Sequence, residues 1–324
     1  MKLRAVTVLF VFSCLAASGL LLSVTQGAAK IPADQIFWSL LHHTNGTVDQ
    51  IIWNIRLPRA ITGALVGVDL ALSGAILQAI MRNPLADPHL IGVSSGAGAA
   101  GIVIIILYPA MTALLTPVAF CGAMTAAVVV YILAWRHGIQ PLRMILAGVA
   151  VSALLGAVIA GILIFFSDRV HGALVWMVGG LAAVGWNDVL IVTPYTAAGL
   201  VLALLGARCL NVLQLGDDMA KAVGLSVESV RLYLTAVAAL LAAAAVSVAG
   251  LLGFVGLIVP HMARLLIGND YRLLLPAAAV LGAAVVTLSD TAARVIVAPV
   301  ELPVGIIMAC LGAPFFLFLL RREL

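Results

Sequence analysis

Ten apolar stretches of about helix length follow one another through this chain with short connections between them. About 20 apolar residues cross a bilayer as a helix, and lipid admits only helices or closed barrels because every backbone polar group must be satisfied internally. The stretches lack the alternation of barrel strands, so the expected fold is an all-α polytopic membrane protein. Spans are predicted near residues 5–25, 56–80, 91–109, 114–135, 142–166, 190–208, 230–250, 253–268, 273–297 and 304–320. The eighth is short and carries Pro260, which predicts a kink or an end there. Residues 167–189 are Gly-rich with polar edges and are read as a short external surface helix. The first stretch follows a basic start, as in a signal peptide, but its span length favours an uncleaved first helix.

At 64% hydrophobic and 9% charged residues, the chain leaves no polar block long enough to bury a soluble core. Any ligand-capturing or catalytic domain must therefore be a separate polypeptide. Of the basic residues, Lys2, Arg4, Arg82, Arg136, Arg143, Arg208, Lys221, Arg231, Arg264, Arg272, Arg321 and Arg322 fall on the side of the termini. Lys30, Arg56, Arg59, Arg169 and Arg294 fall on the other. The bias predicts cytoplasmic termini and explains the net charge of +4 without nucleic acid. Trp38, Trp53, Trp176 and Trp186 then belong at the outer interface and Trp135 at the inner one. The four cysteines, Cys14, Cys121, Cys209 and Cys310, have neither metal-site nor disulfide spacing.

The longest polar interruption is NVLQLGDDMAKAVGLSVESVR, residues 211–231. Asp217 and Asp218 suit a helix N-terminus, Lys221 a last turn, Gly224 a left-handed stop and Ser226 a second N-cap, with Glu228 in the first turn after it. A helix that short is unstable alone, so Leu215, Met219 and Val223, four residues apart, need a further surface to pack on. An ordinary surface loop is the plain alternative.

Other motifs have plain readings beside functional ones. Arg56, Arg59 and Arg294 run against the charge bias. They either snorkel and pair locally, Arg294 with Asp290 one turn before it, or form an outer basic patch for an acidic partner. Asp69, inside the second span, is an uncertain intramembrane carboxylate. It fits a proton-coupled secondary transporter, or a hydrogen bond from Ser, Thr or Gln on a neighbouring helix. GVSSGAGAAG (residues 92–101) suits close helix packing, and its formal G-x-S-x-G at Ser94 would need a base, for which only His261 is at hand. His42 and His43 are adjacent and do not chelate as a pair, so no metal is expected. None of the three lysines, Lys2, Lys30 and Lys221, follows a glycine, so there is no Walker A loop and this chain does not hydrolyse ATP.

The segment RLPRAITGALVGVDLALSGAILQAIMRNPLADPHLIGVSSGAG (56–98), the loop LGDDMAKAVGLS, residues 250–276, SDTAAR and ELPVGIIMACLGAPFFLFLL resemble the FecCD family of ABC importer permeases over nearly the whole chain. The resemblance implies a type II importer architecture with about ten helices and a second permease copy or paralogue. It also implies two cytoplasmic ATPase subunits holding ATP and Mg, and an external substrate-binding protein. Its members carry ferric siderophores, haem or vitamin B12 across the inner membrane, and a ferric siderophore or ferric citrate-like chelate is the expected cargo. It assigns Arg56, Arg59 and Arg294 to binding-protein docking. It assigns ATPase coupling to Gly216, Asp217, Asp218, Ala220, Lys221, Gly224, Leu225 and Ser226. Asp69 departs from the family pattern, which has a small apolar residue there.

Overall fold

In the computed structural model, residues 2–27, 29–42, 46–136, 138 and 140–323 are described, and among them there is no β-strand. The helices are α1 (Lys2–Thr25), α2 (Ala33–Leu41), α3 (Thr47–Ile51), α4 (Leu57–Met81), α5 (Val93–Ile102), α6 (Leu115–Ala134) and α7 (Pro141–Phe165). After them come α8 (Val170–Val178), α9 (Trp186–Leu213), α10 (Asp217–Ala222), α11 (Val227–Ala249), α12 (Val255–Ile267), α13 (Tyr271–Val295) and α14 (Val304–Glu323). A π-helical turn at Ile52–Arg56 joins α3 to α4, and another at Val103–Leu107 extends α5. Among the described residues, seven helices are long and apolar enough to cross a membrane, and Val93–Leu107, Val255–Ile267 and Val304–Leu319 are shorter apolar helices.

Burial separates inner helices from outer ones. In the most apolar window, 78% of the residues are buried for both the α3–α4 helix and α11, against 17% for α1 and α7. Composition explains the centre: α4, α11, α12 and α13 meet through small residues that let backbones touch. A Cβ on Gly67 would stand 2.1 Å from the carbonyl oxygen of Gly282, and one on Gly74 would stand 1.9 Å from that of Gly256. Any larger residue at either position forces the helices apart. Gly96 packs in the same way on Gly122, so the small-residue segment 92–101 is a packing surface.

The helix carrying Pro260 neither starts nor ends at that residue. Its short length comes from a break at residues 250–254, where Gly250 has φ +70° and Phe254 φ +67°. Pro260 has no N–H to give to the carbonyl of Gly256, four residues earlier. The side-chain amide of Gln78 on α4 donates to that oxygen and to the oxygen of Leu257, both at 3.3 Å. An amide from a neighbouring helix thus replaces the missing bond, and the helix continues.

At one end of the bundle the indoles lace the peripheral elements together. Trp186 Nε1 donates to the carbonyl of Trp53 (2.8 Å), and Trp53 Nε1 donates to that of Ser39 (3.1 Å). The half-buried Trp176 ring packs on Gly101 of α5. The end of α8 turns into the bundle, where Gly180 N donates to Ala249 O and Gly305 N to Gly179 O. His42 lies against Trp38 with ring centroids 4.5 Å apart, and His43 lies outside the described residues.

Candidate functional site

Two charged regions at opposite ends of α4 were the candidates, and they are built differently. The first is the polar corner between α9 and α11. Gly216, at φ +98°, turns the chain into α10, with Asp217 and Asp218 in the first turn and Lys221 in the last. The stop after α10 is a complete Schellman motif: Leu225 N donates to Ala220 O and Gly224 N to Lys221 O, both at 2.9 Å, with Gly224 at φ +85°. Ser226 occupies the N-cap position of α11 without donating or accepting a capping bond through its side chain.

The corner has an inner and an outer side. Ala220 and Val227 are buried, and Leu225 is half-buried. Asp217 also belongs to the inner side. Its carboxylate takes a hydrogen bond from the buried Arg231 guanidinium at 2.9 Å and lies 3.7 Å from Arg82, which stands left-handed at the end of α4. On the outer side Leu215, Met219 and Val223 are 61%, 57% and 61% exposed, and Asp218, Lys221 and Ser226 are exposed beside them. Burial of Ala220 and the Asp217 tie orient α10, and that orientation turns its apolar stripe away from the bundle. An ordinary surface loop would turn this stripe inward.

The second region holds Arg56, Arg59, Asp290, Arg294 and Glu301. The expectation of an exposed basic patch fails here, because the three arginines are only 2–4% exposed. The reason is the end of α1, whose last carbonyls have no partner within the helix. Arg56 Nη1 donates to Val24 O (2.9 Å) and Thr25 O (2.8 Å), and Arg294 donates to Ser23 O (3.1 Å), Gln26 O (3.2 Å) and Ser23 Oγ (2.8 Å). The two guanidiniums cap α1 and complement the negative end of its dipole. Arg59 forks onto both oxygens of Asp290, and Nη1 reaches Glu301 at 2.7 Å. Arg294 Nε lies 3.2 Å from Asp290, the local pairing seen from the spacing. These side chains join α1, α4 and α13. Beside them, Arg59 and Glu301 border a cavity of about 1020 Å³ that also takes in His171, Asn187 and Asp188.

Inside the bundle, Asp69 is fully buried and accepts a hydrogen bond from Thr196 Oγ1 of α9 at 2.9 Å, while its other oxygen has no hydrogen-bond partner among the described residues. That is the interhelix hydrogen bond foreseen as the plain reading. Ser94 Oγ is buried without a hydrogen-bond partner, and the His261 ring packs edge-on against Phe315, so the G-x-S-x-G letters assemble no nucleophile and base. Sequence reasoning missed Arg82 and Arg231 as clamps of α10. It also missed Gln78, Asn211 and Arg264, whose partners lie on other helices and leave no local signal.

Comparison with known proteins follows this geometry. The model of the FecCD transport family matches residues 14–322. The cobalamin import system permease protein BtuC of Halobacterium salinarum is 45% identical over 276 residues, 85% of this chain and 74% of that protein. The iron(3+)-hydroxamate import system permease protein FhuB of Bacillus subtilis is 41% identical over 98% of this chain and 84% of its own length. The hemin transport system permease protein HmuU of Yersinia pestis is 40% identical over 94% and 93%. A solved chain of a metal-chelate type ABC transporter in an inward-facing conformation superposes with a TM-score of 0.87 at 29% identity, covering 98% of this chain and 99% of that one.

Proposed function

From the premise that this chain belongs to the FecCD transport family, we propose that it carries a ferric siderophore or ferric citrate-like chelate through the bacterial cell membrane, with both termini cytoplasmic. It is a permease of an ABC importer of the iron-chelate, haem or vitamin B12 kind. An external binding protein delivers the chelate, and a second permease copy or paralogue completes the path. Two cytoplasmic ATPase subunits supply the force, and each receives one α10 corner. Charge counting supports the cytoplasmic placement of that corner. Alternating access then follows from α10 being pushed while α9 and α11, which it joins, rock around the path.

The observation that carries the reading is the outward apolar stripe of Met219 on α10 and Leu215 and Val223 at its two ends, clamped from behind by Arg231 and Arg82. A helix of six residues held rigid with its apolar side uncovered is suited to seating in another protein's groove. Asp217 acts here as the clamp, and Asp218 and Lys221 flank the seat.

The test is uptake into proteoliposomes containing the permease, its ATPase and its binding protein, with ferric citrate, a ferric hydroxamate, haemin and cobalamin offered in turn. ATP-dependent uptake of a ferric chelate is expected. Uptake of cobalamin or haemin alone would reassign the cargo within the family. Uptake driven by a proton gradient without ATP, and lost in Asp69→Asn, would replace the importer reading with a secondary transporter.

A further inference from the structure

The end of α9, two residues before the α10 corner, is tied by side chains to a point deep in the bundle. Asn211 works in two directions: its Nδ2 donates to Asp270 Oδ1, and its Oδ1 accepts from the backbone N of Tyr271, both at 2.8 Å. Asp270 also caps α13 by accepting from Arg272 N at 3.1 Å, and the Arg272 guanidinium forks onto its carboxylate. The hydrogen bond from Arg272 holds the Asp270 carboxyl well below the usual range, so this anchor stays charged. The Tyr271 hydroxyl in turn accepts from Arg264 Nη2 (3.2 Å), and the same nitrogen donates to Gln78 Oε1 (2.9 Å). The other end of the Gln78 amide holds the Gly256 carbonyl that Pro260 leaves free, and the Leu257 carbonyl beside it.

The chain of contacts therefore ends at the start of α12, beside the helix break at 250–254. That break is the irregular piece of backbone in this part of the bundle, and two of its residues stand at positive φ. Phe254 lies so close to α14 that a Cβ on Gly312 would come within 2.3 Å of its ring. Leu251, Gly253 and Phe254 help line a cavity of about 390 Å³ with Val178, Ala309 and Cys310. A broken helix lining a cavity is where irregular backbone is tolerated inside a membrane protein and where a hinge can sit.

We propose that Asn211, Tyr271, Arg264 and Gln78 form a relay that carries displacement of the α10 corner to the helix break before α12, so that the cavity between α8, that break and α14 opens and closes with the nucleotide state of the ATPase. The relay rests on the coupling reading of α10 and adds the element that moves and the residues that move it. None of the four lines the cavity, so they are positioning residues. Polar contacts suit the task, because each link is directional and breaks when its geometry is lost, whereas apolar packing slides. Gln78 is the critical link: its oxygen faces Arg264 and its nitrogen faces the break.

The test uses the permease with its ATPase in lipid nanodiscs, with Cys14, Cys121 and Cys209 replaced by Ser and a bimane fluorophore on Cys310. ATP with vanadate is expected to shift the bimane emission. Gln78→Glu keeps an acceptor for Arg264 and loses the donor to Gly256 and Leu257, and it should cut that shift at least about fivefold, the usual scale of a coupling energy. ATPase binding and ATP hydrolysis should be unchanged. The milder Asn211→Ala, at a half-buried site, should do the same and guards against misfolding of the Gln78 variant. A full shift in both variants would overturn the relay, as would no shift in the parent complex. Met219→Glu with Val223→Glu serves as the control for the reading beneath it: if that variant still binds the ATPase and still shifts, the coupling role of α10 itself falls.

Discussion

The two ends of α4 carry similar charge and opposite designs. At the Arg59 end, every guanidinium is turned inward onto carbonyls of α1 or the carboxylates of Asp290 and Glu301. At the Arg82 end, the charges clamp α10 from behind and three apolar side chains remain uncovered in front. A charge cluster marks a partner surface only when its charges are left unsatisfied. An apolar stripe marks one when something else holds it away from the core.

The contrast breaks most visibly through Asp290. Asp290→Ala leaves Arg59 and Arg294 buried beside each other with one carboxylate fewer, and removing one member of a buried pair costs about 3–5 kcal/mol. A large fall in melting temperature and in yield of monodisperse protein is expected. A variant as stable as the parent would mean that the outer cluster is not structural. Gly224→Ala is the middle case. No atom stands within 4 Å of the added Cβ, so the cost is purely that of φ +85°, about 1–2 kcal/mol. A calorimetric or fluorescence melt checks it, and a neutral result would mean that the stop after α10 relaxes freely. Met219→Glu with Val223→Glu should change folding stability by no more than about 0.5 kcal/mol, since both sites are exposed. Loss of fold in the same melt would place the stripe in the core.

A third polar site, in the turn that follows α4, has a still smaller effect. His89 Nδ1 lies 2.6 Å from Asp87 Oδ1 in the turn after α4. Burial alone would lower His89, but the Asp87 carboxylate more than offsets it, and the result is a raised His89 and a lowered Asp87. A raised histidine contributes stability that is complete below 6.5 and fades as pH rises through its folded value. A lowered carboxylate contributes stability that is complete above 3.8 and fades as pH falls through its folded value. The pair is therefore strongest between these limits. Protection factors for amide exchange at residues 87–92, corrected for the base-catalysed intrinsic rate, should be greatest in that window and fall above it, and the fall should vanish in His89→Gln.

How much of this was readable without coordinates follows from the range of each interaction. Helical backbone covers each apolar stretch because hydropathy over some 20 residues is a local property. The left-handed stop at Gly224 was readable because capping is decided within six residues. The burial of Arg56 and Arg294 was not, since their acceptors on α1 lie up to 271 positions away for Arg294. Local reading registered that they opposed the charge bias and that Arg294 has Asp290 one turn before it, but not the carbonyls of α1. Asp217 looked like a partner contact for the same reason, its clamps Arg82 and Arg231 sitting on two other helices. The helix does not end at Pro260, one of the two outcomes expected there, because the sequence shows the missing N–H and not the Gln78 amide that replaces it.

We propose that the α10 stripe, and not the outer arginines, is built to be covered by another protein. The direct measurement is a binding titration of the purified cognate ATPase against the permease in nanodiscs. Met219→Glu with Val223→Glu should weaken binding at least about tenfold at an unchanged melting temperature, the scale of losing an apolar anchor from an interface centre. Binding equal to that of the parent would contradict the account.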